Sequence, residues 1–95
     1  MKKKTRSDLS QKLEQKRKKI NLHDQKLLSL LNHRLGIALK IGKIKKEMGE
    51  KSYDPKRENE VLEKLKRRNK GPLKEEDLKK IFRTIMKVCR NSQTC

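Results

Sequence analysis

This sequence is short of the residues that build most large cores and most metal sites. In 95 residues it has no Trp, one Phe, one Tyr, two Pro and two Cys. A single Phe and a single Tyr cannot make the stacking platform on which single-stranded nucleic acid is read. Cys89 and Cys95 lack CxxC spacing, and no histidines cluster with them, so neither a zinc site nor a disulfide framework is supported. Free thiols in a reducing compartment are the default. No apolar run is long enough to cross a membrane. The basic opening MKKKTRSDLS is followed by no apolar segment of the secretory kind, so a cytoplasmic protein is expected.

What is present is charge. Charged residues make up 43% of the chain, against 31% hydrophobic, and the formal net charge is +17. Such an excess attracts nucleic acid, acidic membrane surface or small polyanionic metabolites, although a solvated surface is the ordinary role of any one lysine. Charge-rich composition alone is compatible with disorder, but the apolar residues here are periodic. Ninety-five residues allow one small domain. The expected division is a basic tail over 1–8 and a helical domain over 9–95.

Residues 9–48 organise the rest. They contain no proline, and Leu9, Leu13, Ile20, Leu27, Leu31, Leu35, Ala38 and Ile41 recur at helical spacing. Ser7 or Asp8 is the expected cap. Forty residues at about 1.5 Å each give a helix of about 60 Å. A globule of this size has a radius of gyration of only about 13 Å, so the remaining chain cannot sheathe the whole stripe. A partner is implied, most simply a two-fold homodimer with the long helices packed together. Gly42 falls on the stripe, where close approach of another backbone or a ligand would compensate its cost to the helix. Gly36 has no evident purpose.

The polar stretch 49–53, opened by Gly49, reads as a loop. Asp54 as N-cap and Pro55 at the first position then start a second helix, carrying Val61, Leu62 and Leu65 and ending near Asn69. Glu75, Glu76 and Asp77 suit the first turn of a third helix. Its apolar face is Leu78, Ile81, Phe82, Ile85 and Cys89, and it ends between 91 and 93. The expected fold is all-α, with helices long, short and medium.

Four polar residues lie on or beside the long helix's stripe: Arg17, Asp24, Arg34 and Lys45. Arg34 and Lys45 are separated by about 20° around the axis and about 16 Å along it, which leaves room for one small molecule between their side chains. Arg17 is too far back to serve the same site unless a second chain carries it across. Long cations often snorkel from a stripe's edge into water, but three on one stripe strain that explanation. Asp54, Arg57 and Glu58 crowd the start of the second helix. There a cap and a surface ion pair between Glu58 and Arg57 or a nearby lysine are the ordinary readings. Cys89 and Gln93 share a face of the third helix, with a small core residue and a frayed end as the ordinary readings. His23 and His33 are tied neither to Cys89 nor to each other, so cysteine catalysis is disfavoured. No triad, metal cluster, phosphate loop or cofactor fingerprint is legible. An enzyme built this way would act through orientation and electrostatic stabilisation, without a covalent intermediate.

These residues, in order, resemble the all-helical class of chorismate mutases. The stretch RKKINLHDQKLLSLLNHRLGIALKIGKIK is similar to that family's arginine, then I-x-x-x-D-x-x-L-L-x-L-L-x-x-R, then G-K-x-K. DPKRENEVL resembles D-x-x-R-E, and IFRTIMKVCRNSQ resembles I-F-x-x-I-M-x-x-S-x-x-x-Q. The resemblance covers about residues 13–93 and implies an isomerase converting chorismate to prephenate on the route to aromatic amino acids, without a cofactor. It implies that Arg34 binds a substrate carboxylate and that Arg17 reaches into the partner's site to bind another. Lys45 and Gln93 would hydrogen-bond the ether oxygen of the breaking bond. Asp54 and Glu58 would hold the ring-hydroxyl side, and Arg57 would support the site near the ring carboxylate. Cys89 stands where the family usually has serine, and a thiol is the weaker donor. Two alternatives remain at this point. One is an isochorismate pyruvate lyase of the same fold, against which the intact match at Asp54, Arg57 and Glu58 weighs. The other is a basic helical dimer that binds nucleic acid through its lysines.

Overall fold

The computed structural model describes residues 3–93. They form three helices, α1 (Arg6–Glu47), α2 (Pro55–Arg68) and α3 (Glu75–Gln93), with no strand among the described residues. This is the all-α order of long, short and medium expected from periodicity. Contacts divide the chain into a unit ending at His33 and a second beginning at Arg34.

In the first unit α1 starts at Arg6, and its cap is Thr5 instead of Ser7 or Asp8. Thr5 Oγ1 accepts the Asp8 N–H at 3.1 Å, and Asp8 Oδ2 accepts the Thr5 N–H at 3.3 Å. One reciprocal pair thus satisfies two amides that helix geometry leaves unpaired, which neither Ser7 nor Asp8 alone would do. Every described residue of this unit is exposed. The apolar stripe is included: Leu9, Leu13, Ile20, Leu27 and Leu31 keep 42% to 60% of their surface open.

The second unit has a small core drawn from all three helices: Ala38 of α1, Leu62 of α2, and Leu78, Met86 and Cys89 of α3. The spacing of the last three puts them on one face of α3, flanked by half-buried Phe82 and Ile85. Met86 belongs to this face although periodicity pointed to Ile85, while Ile81 is 47% exposed.

Two turns position the functional elements. Gly49 takes φ +72° after the end of α1. The Glu50 N–H bonds the Lys45 carbonyl at 2.8 Å, and the Gly49 N–H bonds the Lys46 carbonyl at 3.1 Å. That paired closure needs a left-handed residue, and glycine adopts it without a Cβ penalty. The chain is thereby folded back beside Lys45. Asp54 then caps α2, its Oδ1 accepting the Arg57 N–H at 3.0 Å, with Pro55 in the first turn. Between α2 and α3, Asn69 Nδ2 donates to the Leu73 carbonyl at 2.7 Å, and Lys66 pairs with Glu75 at 2.6 Å.

Candidate active site

The second unit carries an open cavity of about 240 Å³. Seven of the eight residues to which the resemblance gives a role line it: Arg34, Lys45, Asp54, Arg57, Glu58, Cys89 and Gln93. The eighth, Arg17, is in the first unit, exposed and paired with Glu14 at 3.2 Å. Ile37, Ala38, Ile41, Val61 and Met86 supply apolar wall.

Most of these polar side chains are held by a specific contact. Arg34 Nη1 donates to Cys89 Sγ at 3.1 Å. Cys89 is therefore both a buried core residue and an acceptor at the cavity wall. Lys45 Nζ donates to the Ser52 carbonyl at 3.1 Å, a bond made possible by the turn at Gly49. Gln93 is no frayed end: its Nε2 donates to the Ala38 carbonyl across to α1 at 2.6 Å. The side chain lies directly over Gly42, where a Cβ would stand 2.8 Å from Gln93 Cγ. The close approach anticipated at Gly42 is thus made by a side chain of α3. Gly36 meets nothing within 4 Å.

Glu58 pairs neither with Arg57 nor with a lysine. Its Oε2 accepts Arg90 Nε at 3.1 Å. Adjacent positions on a helix do not face each other, so Arg57 cannot easily reach it, whereas α3 presents Arg90 across the gap. The Arg90 guanidinium also lies 4.2 Å over the ring of Tyr53. Arg90, Tyr53 and Ser52 were not anticipated from the sequence. Arg90 follows buried Met86 by one helical turn, so it carries the same signal as Arg34 and Lys45: a cation at the edge of an apolar face.

Four cations (Arg34, Lys45, Arg57 and Arg90) thus line the cavity with two carboxylates. One carboxylate caps a helix and the other is paired. The surplus is positive and suits a small anion. Arginine forks bind carboxylates bidentately, while a lysine ammonium offers a compact charge to a polarising oxygen.

The sequence matches the model of the chorismate mutase type II family over residues 16–94. The chain belongs to the chorismate mutase type II family. It is 37% identical over 83 residues to the bifunctional chorismate mutase/prephenate dehydratase of Aquifex aeolicus (strain VF5), a stretch covering 83% of this chain and 23% of that protein. The protein of the same description from Pseudomonas aeruginosa is 37% identical over 78 residues, covering 77% of this chain and 21% of its own length. The chain therefore spans less than a quarter of the curated relatives it matches. Among solved structures, chorismate mutase (form II) from Thermus thermophilus superposes with a TM-score of 0.85 at 32% identity, covering 87% of this chain and 94% of that one. A conserved hypothetical protein from Pyrococcus furiosus gives 0.72 at 38% identity, covering 86% and 95%. The fold and the family are those the sequence motifs implied. Among the described residues of this chorismate mutase family member, no helix is long and apolar enough to cross a membrane.

Proposed function

We propose that this chain is a chorismate mutase that converts chorismate to prephenate in aromatic amino acid biosynthesis, in the cytoplasm, as a homodimer. The observation that carries the reading is the meeting of Arg34, Lys45 and Gln93 around one cavity with Asp54, Arg57 and Glu58. The reaction is an internal rearrangement. An ether C–O bond breaks as a C–C bond forms, so atoms and charge balance within one molecule and no proton or electron is exchanged. The protein has to hold a flexible dicarboxylate in its compact conformer and to stabilise the negative charge that grows on the ether oxygen.

In this reading Arg34 binds one carboxylate. Lys45 and Gln93 face the ether oxygen; the ammonium has three N–H donors and spends one on Ser52. Asp54 and Glu58 hold the ring hydroxyl, with Arg57 near the ring carboxylate. Cys89 lies against the substrate beside Arg34. Arg17 acts in the partner's site. The exposed leucines of α1 support the dimer, because a soluble single chain rarely leaves so long an apolar stripe uncovered.

The test is direct. Purified protein is incubated with chorismate, and prephenate is measured. Arg34→Ala and Lys45→Ala are expected to lose at least about a hundredfold in kcat, the scale of removing one group that stabilises developing charge. The dimer should persist in both. Wild-type protein that leaves chorismate untouched would sink the proposal, and salt-sensitive nucleic-acid binding unaffected by these substitutions would replace it.

A further inference from the structure

We propose that Arg90 is a positioning residue of this site: held against Tyr53, it fixes the Glu58 carboxylate in the orientation that meets the substrate's hydroxyl. The inference rests on the mutase reading and goes beyond it, because position 90 is unspecified in the motif I-F-x-x-I-M-x-x-S-x-x-x-Q.

The pair differs from the others in the molecule. Arg17–Glu14 and Lys66–Glu75 are open to water, with side chains 41% to 62% exposed. Arg90 and Glu58 are 25% and 21% exposed. Ion pairs on an open surface are worth little, because water and mobile side chains compete with them. A pair with most of its surface covered is screened less, and its geometry is better defined. Like Lys66–Glu75 it joins α2 to α3, but both of its residues line the cavity.

The second contact removes Arg90's freedom. A guanidinium 4.2 Å over the Tyr53 ring has a preferred plane as well as a place. Tyr53 belongs to the short segment between α1 and α2, next to Ser52 and the Asp54 cap. Arg90 therefore ties that segment, α2 and α3 together at one point.

Glu58 needs such a tie. Asp54 is already committed through its Oδ1 to a backbone amide. Glu58 is the other acid of the cavity, and two cations of α1, Arg34 and Lys45, line the same cavity. A glutamate has three rotatable bonds and would pair with whichever cation it met. Arg90 uses one oxygen of the carboxylate, Oε2, and the second oxygen remains able to accept a hydroxyl. Arg90 also borders a neighbouring cavity formed with Gly42, Lys46, Tyr53 and Asn91. Arg90 thus borders both spaces, and its removal would loosen Glu58.

The experiment is a double-mutant cycle on chorismate turnover with the full chain. Arg90→Leu is expected to lower kcat/KM about tenfold, the weight of one charge-assisted hydrogen bond. Arg90→Lys should recover part of that loss. Glu58→Ala combined with Arg90→Leu should be no slower than Glu58→Ala alone, because Arg90 acts through the carboxylate. Losses that multiply in the double variant, or an Arg90→Leu protein as active as wild type, overturn the inference while leaving the mutase reading intact. An inactive wild type overturns both. Should Arg90→Leu lose its helical circular dichroism, the cycle with Tyr53→Leu decides: non-additivity with Glu58→Ala supports the tie, and additivity rejects it.

Discussion

Gly42 and Gln93 are packed so closely that a side chain on one excludes the other: a Cβ on residue 42 would stand 2.8 Å from Gln93 Cγ and 3.0 Å from its Cβ. These atoms are the root of the side chain and not its flexible end. Alanine at 42 would therefore push the whole of Gln93 away and break its bond to the Ala38 carbonyl. Gly42→Ala is expected to lower kcat by about tenfold or more, the effect of misplacing one hydrogen-bond donor to developing charge. A steady-state assay checks it, and unchanged kcat would show that Gln93 has no part in the reaction.

Gly36 is the control. It lies inside α1 with nothing within 4 Å, and a glycine in a helix interior costs up to about 1 kcal/mol relative to alanine. Gly36→Ala is expected to raise Tm by about 4–8 °C, the scale of that energy in a domain this small. Thermal unfolding monitored by circular dichroism reads this directly. A lower Tm would mean that another chain packs closely against position 36.

Cys89 accepts a hydrogen bond from Arg34 at 3.1 Å. A hydroxyl there would accept it as well and would donate more strongly to a substrate carboxylate than a thiol does. Cys89→Ser is therefore expected to lower KM for chorismate about two- to fivefold, within the energy of one net hydrogen bond. Cys89→Ala, with no acceptor for Arg34, should raise KM. The two variants moving KM in the same direction would count against the contact.

Arg17 can be tested by mixing. Arg17→Ala and Arg34→Ala chains, each inactive alone, are unfolded and refolded together in equal amounts. If Arg17 serves the partner's site, half of the dimers are mixed and each has one intact site of two, so about a quarter of wild-type activity returns. If Arg17 serves its own chain, no mixture recovers activity.

The net charge of +17 should steer a dianion toward the cavity. Raising ionic strength from about 10 mM to about 500 mM is expected to lower kcat/KM several-fold and to leave kcat nearly unchanged, because screening acts on encounter between separated charges. A salt-independent kcat/KM would mean that the lysine-rich surface plays no part in capture.

Much of this was legible in the residues themselves. The long apolar period with no proline announced α1, and Asp54-Pro55 marked the start of α2. Arg34 and Lys45 drew notice because a cation on an apolar stripe asks for a reason, and both line the cavity. What was hidden depends on tertiary distance. Nothing local says that Glu58 will find Arg90, thirty-two positions away, instead of its neighbour Arg57. The choice is made by the way α3 packs on α2. The Thr5 cap was missed for a different reason: Thr5, Ser7 and Asp8 are all good capping residues within four positions, and which one caps depends on where the helix begins. Ser52 could not have been found at all, since it contributes only its carbonyl.

That last point has a wider consequence. Lys45 and Gln93, the two groups assigned to the reacting oxygen, are both aligned by main-chain acceptors, the carbonyl oxygens of Ser52 and Ala38. A main-chain oxygen survives any change of side chain at its position. The alignment of Lys45 is therefore buffered against mutation at residue 52 so long as the backbone keeps its path, and it is vulnerable where that path is set, at the left-handed Gly49. Ala38, by contrast, is also buried in the core. Sequence drift among proteins of this design can be wide at a residue such as 52, which acts through its main chain, and narrow at a turn that never touches the substrate.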